Sequence, residues 1–195
     1  MRILKADHHK RMAWKNGGGE TIELAVHPPG ADLSAFGWRV SMARVETDGP
    51  FSLFEGIDRT LSLLEGEGMV LDIEGAGARR LRTDSDPLRF AADAPTRARL
   101  LGGAILDLNV MTRRGTFDHR VRRLAIEKPH TIAPAARWTL ILALEPVEAV
   151  EADGTVHALG PHDALLLEGE DTPVTLSSPL PRTAFLIEID TPDLA

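Results

Sequence analysis

Glycine and proline interrupt this sequence so often that few stretches are long enough for a helix. Among its 195 residues there are 17 glycines and 13 prolines. Proline removes a backbone donor, and glycine costs more conformational entropy in a helix than alanine does. The segments between them are short and alternate apolar with polar residues, which is the period of a strand with one buried face. The sequence therefore predicts an all-β fold.

Eight segments carry the strand pattern, and turn signals such as Asp48-Gly49-Pro50 and Asp153-Gly154 separate them. The first two alternate apolar and polar residues so regularly that we expect both to be half-buried. The eight segments are 22–26, 38–42, 61–64, 69–73, 104–111, 138–144, 164–167 and 184–189. Many short strands at this spacing predict a sandwich or a barrel.

The composition changes over residues 113–134, which we interpret as a basic, proline-containing linker. Residues 1–112 then form a larger first β unit, and residues 135–195 form a smaller second one. The segment is marked by Arg113, Arg114, Arg120, Arg122, Arg123, Pro129 and Pro134. A solvated connector accounts for these arginines, and a surface that docks an acidic partner is the alternative.

Charge and composition exclude several classes of function. With 22 basic and 29 acidic residues the formal net charge is -7, which repels a phosphate backbone, so we expect no nucleic-acid partner. Apolar runs such as Leu140–Leu144 are far shorter than the roughly 20 residues that cross a bilayer, so we expect no membrane partner. The chain has no cysteine, and Met1–Lys10 is too polar for a secretory signal. These features predict a cytoplasmic protein, whose exposed strand edges would allow a homodimer.

Three consecutive glycines follow Lys15 and Asn16 and precede the first predicted strand. Ordering three glycines costs much backbone entropy, so we expect a structural or functional requirement for glycine at these positions. Either Trp14 packs against bare backbone in a tight turn or bulge, or the N–H groups around Gly17 and Gly18 form an anion-binding nest with the two polar side chains. The segment is neither a P-loop nor a dinucleotide fingerprint, because no Gly-Lys-Ser/Thr and no helix follow it.

Gly49 and Gly68 have the spacing of the first cupin motif. The positions that hold metal ligands in metal-binding cupins are occupied here by Glu55, Ile57 and Leu61. One carboxylate and two aliphatic side chains cannot hold a divalent transition metal, and no histidine stands in a His-x-His pair. We therefore predict no metal and no other cofactor.

Two polar positions on predicted strands are candidates for ligand binding. Asp58 and Arg59 are either an exposed ion pair or the start of a strand whose arginine points inward, where its burial is costly unless an anion or a carboxylate meets it. In the fifth predicted strand, Asp107 and Asn109 share one face, which is either solvated or turned into the barrel. Arg113 follows closely and would form a basic rim near Asn109.

Six segments within the first 115 residues carry a further signal: Trp14–Gly19, Gly37–Ala43, Gly49–Ser52, Ile57–Arg59, Asp107–Met111 and Arg113–Gly115. In the same order, they resemble segments of the HutD/Ves proteins, a bacterial family associated with histidine utilisation operons and with a stress-induced relative. One departure is Glu55-Gly56, which stands where the family carries Pro-Gly, and it bears on the local turn. The resemblance implies a cupin fold with two jelly-roll β-barrel units in one chain, a bicupin, with a pocket near these segments.

The resemblance also implies no established catalytic activity, and instead a regulator of histidine catabolism that binds a pathway metabolite such as formylglutamate or urocanate. Guanidinium and amide groups suit such a small anionic metabolite. The candidate ligand-binding residues are Lys15, Asn16, Gly17, Gly18, Arg59, Asn109 and Arg113. One alternative is a metal-free isomerase or epimerase acting on a small carboxylate, which would need an acid and a base near the pocket. The other is a stress-induced, Ves-like interaction protein.

Overall fold

The structure is a computed structural model that describes residues 1–15, 17–169 and 172–192. These residues form one short 3-10 helix, Ala6–His8, and no helix among them is long and apolar enough to cross a membrane. The remaining elements are strands: β1 (Arg2–Leu4), β2 (Lys10–Ala13), β3 (Gly19–His27), β4 (Trp38–Val45), β5 (Gly49–Pro50), β6 (Ile57–Glu65), β7 (Met69–Ile73), β8 (Gly77–Leu81), β9 (Leu88–Ala91), β10 (Thr96–Leu100), β11 (Ile105–Arg113), β12 (Asp118–Ile126), β13 (His130–Ile132), β14 (Trp138–Ala143), β15 (Val147–Glu151), β16 (Val156–Leu159), β17 (Ala164–Glu168), β18 (Val174–Ser177) and β19 (Arg182–Asp190).

The chain divides into two compact units. The first unit is Lys10–Phe117, and the second unit combines Met1–His9 with Asp118–Ala195. This division differs from the predicted one, because the N-terminal residues belong to the second unit and because residues 113–134 are not a linker. They contain the end of β11 and the whole of β12 and β13. The arginines that suggested a solvated connector are instead the outward residues of a strand, since Arg120, Arg122 and Arg123 are exposed on β12.

Two antiparallel sheets form the first unit. The larger has the strand order β2-β3-β4-β11-β6-β9, and the smaller has the order β5-β10-β7-β8. Their facing side chains form a common apolar core, in which Leu61 and Leu63 of β6 pack with Met69 and Leu71 of β7. Both sheets therefore have an inner face, turned toward the other sheet, and the alternation of side chains along each strand decides which residues lie there.

The second unit also consists of two antiparallel sheets, with the orders β1-β17-β14-β19-β12 and β13-β18-β15-β16. Its core is made of aliphatic side chains from both sheets, including Ile141, Leu165 and Leu176. The long register between β12 and β19, from Asp118 opposite Asp190 to Ile126 opposite Arg182, completes the larger sheet. An apolar interior of this kind stabilises the unit.

The N-terminal segment is anchored to the second unit by pairing and by one carboxylate. Strand β1 lies antiparallel to β17, with Ile3 opposite Leu165. The buried carboxylate of Asp163 accepts hydrogen bonds from Lys5 Nζ and the Ala6 and Gly160 backbone N–H groups, all at 2.8 Å. These charge-assisted bonds hold the pKa of Asp163 below its ordinary value although burial opposes them.

All eight predicted strand segments correspond to strands, namely β3, β4, β6, β7, β11, β14, β17 and β19, and only Ala104 and Leu144 lie one residue outside them. The expectation of a half-buried strand holds for β3 but is wrong for β4, where Arg39 and Ser41 are as buried as their apolar neighbours. In β11 the residues Asp107 and Asn109 are buried too. The alternation therefore separates an apolar face from a polar one, and the polar face is not the solvated face.

Candidate functional site

The polar faces of β4, β11 and β6 meet on the inner face of the larger sheet of the first unit. Strand β11 lies between the other two, and Met111 is paired with Arg39 on one side and with Arg59 on the other. The next row places Asn109 between Ser41 and Leu61, and Glu23 of β3 is paired with Ser41. One row further, Asp107 is paired with Ala43 and Leu63. We call this set the polar cluster: Glu23, Arg39, Ser41, Arg59, Asp107 and Asn109.

Arg59 lies at one side of the polar cluster, with only 5% of its surface exposed. Its guanidinium carbon is 5.2, 5.3 and 5.9 Å from the ring centroids of Phe51, Phe54 and Phe90. These distances lie within the range of favourable cation–π interaction. The guanidinium also approaches the Met111 sulfur at 3.8 Å, while its Nε has no hydrogen-bond partner among the described residues. Arg59 is thus a cation held mainly by aromatic rings.

The electrostatic surroundings of Arg59 make its charge costly. Burial lowers the pKa of Arg59 from its ordinary value to about 10; the nearby Asp107 carboxylate opposes this change and the Arg39 charge adds to it. No carboxylate forms a salt bridge with Arg59 among the residues that the structure describes. A buried cation without a direct counter-ion is unusual, since buried charges are ordinarily paired.

Arg39 differs from Arg59 because its charge is already balanced. Its Nε donates to Glu23 Oε2 at 2.7 Å, and its Nη1 donates to Ser41 Oγ at 3.4 Å. Both charged side chains are largely buried, with 6% and 15% of their surfaces exposed. The Arg39–Glu23 pair therefore contributes hydrogen-bonding groups to the polar cluster but no net charge.

Asp107 is the acidic counterpart of Arg59 on the same face. Asn109 Nδ2 donates to Asp107 Oδ1 at 2.5 Å, whereas Asp107 Oδ2 is buried with no partner among the described residues. Burial raises the pKa of Asp107 to about 7, against the lowering effects of the Arg59 charge, the Asn109 hydrogen bond and the Ala43 backbone. Near neutral pH this carboxyl can therefore be a proton donor or an acceptor.

The glycine-rich segment forms a tight hairpin between β2 and β3. Gly17 has a φ of +70° and donates its N–H to the Trp14 carbonyl, while the Gly18 carbonyl accepts from the Glu46 N–H. A Cβ on Gly19 would overlap the Arg44 carbonyl and lie 3.2 Å from the Trp14 ring. The positive φ accounts for Gly17, and close packing against the Arg44 carbonyl and the Trp14 ring accounts for Gly19, in agreement with the turn interpretation at these two positions.

The structure brings two of the predicted ligand-binding residues together, Arg59 and Asn109. Lys15 is exposed at the tip of the hairpin, Gly17 and Gly18 form that hairpin, and Asn16 lies outside the described residues. Arg113 donates through Nη2 to the Phe36 carbonyl at 3.0 Å and so holds the loop before β4. The positions of Arg59 and Asn109 are therefore compatible with one shared ligand, whereas those of Lys15, Gly17, Gly18 and Arg113 give the hypothesis no support.

The neighbouring ion pairs are structural. Asp58 forms no pair with Arg59; it accepts from Arg114 Nε at 2.8 Å and from Arg89 Nη2 at 3.0 Å. Arg114 also donates to both oxygens of Asp93, at 3.0 and 3.2 Å. This exposed network joins β6, β9 and the residues after β11, and it fixes the strand on which Arg59 lies without using the Arg59 charge.

The cupin metal positions contain no ligand set. Ile57 and Leu61 are buried apolar residues of the first unit, and Glu55 is exposed in the loop before β6. Within residues 1–15, 17–169 and 172–192, no three His, Asp or Glu side chains gather in a way that could hold a metal ion. The polar cluster instead combines guanidinium, amide, hydroxyl and carboxyl groups, which suit hydrogen bonding to an organic anion.

A surface groove of about 430 Å³ lies beside the aromatic rings, lined by Phe51 together with Leu53, Asp72, Glu74 and Arg97 among others. It contains no residue of the polar cluster. Its two carboxylates, Asp72 and Glu74, disfavour an anion, so the groove is a weaker candidate for anion binding than the polar cluster.

The sequence also contained signals that point to residues missed as site candidates. Arg39 and Ser41 alternate with apolar residues in the same way as Asp107 and Asn109 do, and a search for polar faces on strongly apolar strands finds both pairs. Glu23 occupies the matching position of β3. Nothing in the sequence identifies Phe51, Phe54 and Phe90 as neighbours of Arg59, because they reach its guanidinium from a loop and from a separate strand.

Sequence comparison connects the chain with two groups of named proteins. The HutD family model matches residues 6–184. An uncharacterized 21.2 kDa protein in the hutC 3′ region of Pseudomonas putida is 36% identical over 172 residues, which is 88% of each chain. Protein Ves of Citrobacter koseri is 40% identical over 110 residues, which is 56% of each chain.

Solved structures show the same fold. A conserved protein of unknown function from Pseudomonas aeruginosa PAO1 superimposes with a TM-score of 0.90 at 34% identity, covering 97% of this chain and 98% of that one. HutD from Pseudomonas fluorescens SBW25 gives 0.82 at 29% identity, with the same coverage. A cupin 2 conserved barrel domain protein from Leptotrichia buccalis gives 0.61 at 11% identity, covering 93% and 96%, so the likeness to cupins is one of fold. The match over nearly the whole chain and the shared fold establish that this protein belongs to the HutD family.

Proposed function

We propose that the first unit binds a small anionic metabolite at the polar cluster, with Arg59 receiving the anionic group and without a metal. The observation that carries this proposal is the burial of the Arg59 guanidinium without a carboxylate in salt-bridge contact. A buried charge in this state destabilises the fold unless a ligand or a partner compensates it. A protein retains such a group where binding requires it.

The neighbouring groups favour a carboxylate that carries a second polar function. Guanidinium N–H groups match the two oxygens of a carboxylate. Asn109 and Ser41 then present amide and hydroxyl groups to a formyl, amide or imidazole portion of the ligand. Urocanate has this combination with a single carboxylate, whereas formylglutamate has it together with a second carboxylate, which would have to stay at the surface of the site. The structure of HutD from P. fluorescens SBW25 was obtained in a formate condition, which makes formate a suitable minimal probe.

The biological role follows from the family. The chain is related to HutD and to a protein in the hutC 3′ region, and we propose that it is a non-enzymatic accessory or regulatory protein of histidine utilisation in the cytoplasm. On this proposal each unit is a jelly-roll barrel of the cupin type, so that the chain is a bicupin. Among the described residues of the second unit, the buried polar ones are His119, Thr139 and Asp163, of which Asp163 anchors the N-terminal segment. On this proposal the second unit serves stability or assembly.

Calorimetric titration with formate, formylglutamate, urocanate, glutamate and histidine tests the proposal. We expect one of the anions to bind, and the Arg59→Met variant to lose at least about 2 kcal/mol of binding free energy, as removal of a charged hydrogen-bond partner does. Arg44→Met is the matched control, because Arg44 lies on β4 but is exposed and paired with Glu46. If all the anions bind both variants equally, or none binds the wild-type protein, the proposal is refuted.

One observation favours a second candidate, a metal-free enzyme acting on a small carboxylate. Asp107 has a pKa raised to about 7, and a carboxyl with this pKa suits general acid–base catalysis. Its partner acid or base would be part of the ligand or Glu23, since no histidine belongs to the polar cluster as defined. Conversion of urocanate or formylglutamate, followed by proton NMR with Asp107→Asn as the inactive control, would establish this function in place of simple binding.

A further inference from the structure

The charges of the polar cluster leave one cation and one carboxyl whose states depend on each other. Arg39 and Glu23 neutralise one another at 2.7 Å. Arg59 and Asp107 remain, and each has one buried polar atom without a partner among the described residues, Arg59 Nε and Asp107 Oδ2. Both atoms belong to the same inner face, on neighbouring strands β6 and β11. The net charge of the face is therefore zero when Asp107 is ionised and +1 when it is protonated.

We propose that Asp107 and the bound anion are alternative counter-ions of Arg59, so that the anion enters the site together with one proton, which Asp107 takes up. This inference rests on the proposed function and adds to it the charge class of the ligand and the condition for its binding. The proton comes from solvent and forms an O–H bond on the Asp107 carboxylate. The resulting carboxylic acid can donate a hydrogen bond, whereas the carboxylate can only accept.

The physical reason is the cost of two anions beside one cation in an enclosed, apolar setting. When Asp107 is ionised, an added carboxylate gives the face a net negative charge, and repulsion between the two carboxylates is poorly screened away from water. Two carboxylates that share one site respond by holding a proton, which raises one pKa strongly. With Asp107 protonated, the same carboxylate completes a neutral set with Arg59.

Among the residues that the structure describes, no other group beside Asp107 would take the proton in its place. Arg59 of β6 is the charge that acts on Asp107, Asn109 of the same strand donates to it, and Ala43 of β4 donates through its backbone. Arg39 of β4 is engaged by Glu23 of β3. The smaller sheet contributes the apolar side chains Met69, Leu71, Ile73, Leu81 and Ala98 to this core, together with the hydroxyl of Thr96, which donates to the Ala94 carbonyl and does not titrate in this pH range.

The charge count also limits the ligand. One net positive charge accommodates one buried anionic group, so the buried part of the ligand carries a single carboxylate and its remaining polar groups are neutral. A ligand with two carboxylates would have to leave the second one at the surface, where water and salt reduce the repulsion. The site should therefore bind monoanions more tightly than dianions whose two carboxylates are joined by a short spacer.

Titration of the full-length protein with sodium formate from pH 6 to pH 8.5 tests the inference, with isothermal calorimetry in two buffers of different ionisation enthalpy. Formate remains ionised throughout this range, as carboxylic acids of ordinary pKa do. We expect the formate affinity to be constant near pH 6 and to fall by about tenfold per pH unit above pH 7, with about one proton taken up per formate at pH 8. The proton uptake is measured on the wild-type protein and needs no variant.

Two variants separate Asp107 from the other carboxylate of the face. Asp107→Asn keeps the size and the hydrogen-bonding capacity of a protonated carboxyl, and we expect it to bind formate with one affinity from pH 6 to pH 8.5 and with no proton uptake. Glu23→Gln should retain the pH dependence, whatever its absolute affinity. Succinate, which has two closely spaced carboxylates, should bind the wild-type protein at least about tenfold more weakly than formate does.

The outcomes distinguish this inference from the proposed function. Formate binding that does not change with pH and takes up no proton overturns the coupling and leaves the anion site intact. Persistence of the pH dependence in Asp107→Asn overturns the assignment to Asp107. Absence of formate binding to the wild-type protein at every pH, together with no binding of the larger anions, overturns the proposed function and this inference with it.

Discussion

Replacing Arg59 with methionine should stabilise the first unit while it abolishes anion binding. Burial is the main cause that lowers the pKa of Arg59 from its ordinary value to about 10. At about 1.4 kcal/mol per pH unit, this lowering corresponds to about 3 kcal/mol against the charged state. Methionine is similar in length, carries no charge and makes favourable contacts with aromatic rings. Three cation–π contacts are lost at the same time, each worth about 0.5–1 kcal/mol or more.

The difference between these two terms is about 0–1.5 kcal/mol, and a sulfur–aromatic contact of methionine adds about 0.3–1.5 kcal/mol. We therefore expect a gain of about 1–2 kcal/mol in the free energy of unfolding. Substitution of a buried charge by an apolar residue of similar volume often has this effect. The measurement is urea and thermal unfolding at pH 6, where Asp107 is mostly protonated and its attraction to Arg59 is small. At about 2–4 °C per kcal/mol, the melting temperature should rise by about 2–8 °C.

Arg39→Met is the matched comparison, since the two arginines flank Met111 on the same face. It removes the partner of Glu23, whose carboxylate then remains largely buried without a counter-ion. We expect this variant to lose about 2–4 kcal/mol. Opposite signs for the two variants would support the interpretation of Arg59 as a binding group kept at a cost in stability. A loss for Arg59→Met as large as that for Arg39→Met would refute it.

Three further predictions concern stability. Burial raises the pKa of Asp107 to about 7 in the folded protein, so the free energy of unfolding of the wild-type protein should fall by up to about 4 kcal/mol between pH 4 and pH 7. Urea unfolding should show a smaller fall for Asp107→Asn, and an equal fall would contradict the assignment to Asp107. Gly19→Ala should lower the free energy of unfolding by about 2–4 kcal/mol, because the new Cβ would meet the Arg44 backbone. Gly17→Ala should lower it by only about 1 kcal/mol, because the space there is open and only the φ of +70° is unfavourable; equal urea midpoints for the two variants would contradict this. Asp163→Asn should lower the free energy of unfolding by about 1–3 kcal/mol above pH 4 and by less in acid, where the wild-type carboxylate becomes protonated although its pKa is lowered. Trypsin should cut this variant at Lys5 faster than it cuts the wild-type protein. Unchanged cleavage would show that the carboxylate does not anchor the N-terminal segment.

Much of the site follows from alternation along the strands. The pattern around Asp107 and Asn109 places both residues on one face, and the hypothesis of an inward Arg59 names the residue that the structure places opposite Met111. The prediction was wrong for Arg39. The rule that polar residues of an alternating strand face solvent placed this side chain at the surface. That rule fails here because β4 is buried on both faces.

Lys15 and Arg113 show a different limit of sequence reasoning. Both are cations within segments that resemble the family, yet one lies at an exposed hairpin tip and the other holds backbone carbonyls of the loop before β4. A sequence reports which groups are present, but their use depends on acceptors that come from distant parts of the chain. The carbonyl of Phe36 is 77 positions from Arg113.

The sequence by itself determined that the chain is all-β, without cysteine, and a member of the HutD family, because these properties depend on local spacing and on residue identity. The tertiary structure decided which face of each strand is enclosed, that residues 1–9 complete the second unit, and that Arg59 has aromatic rings rather than a carboxylate around it. Alternation fixes which side chains share a face, but only the packing of one sheet on another decides whether that face meets water or protein.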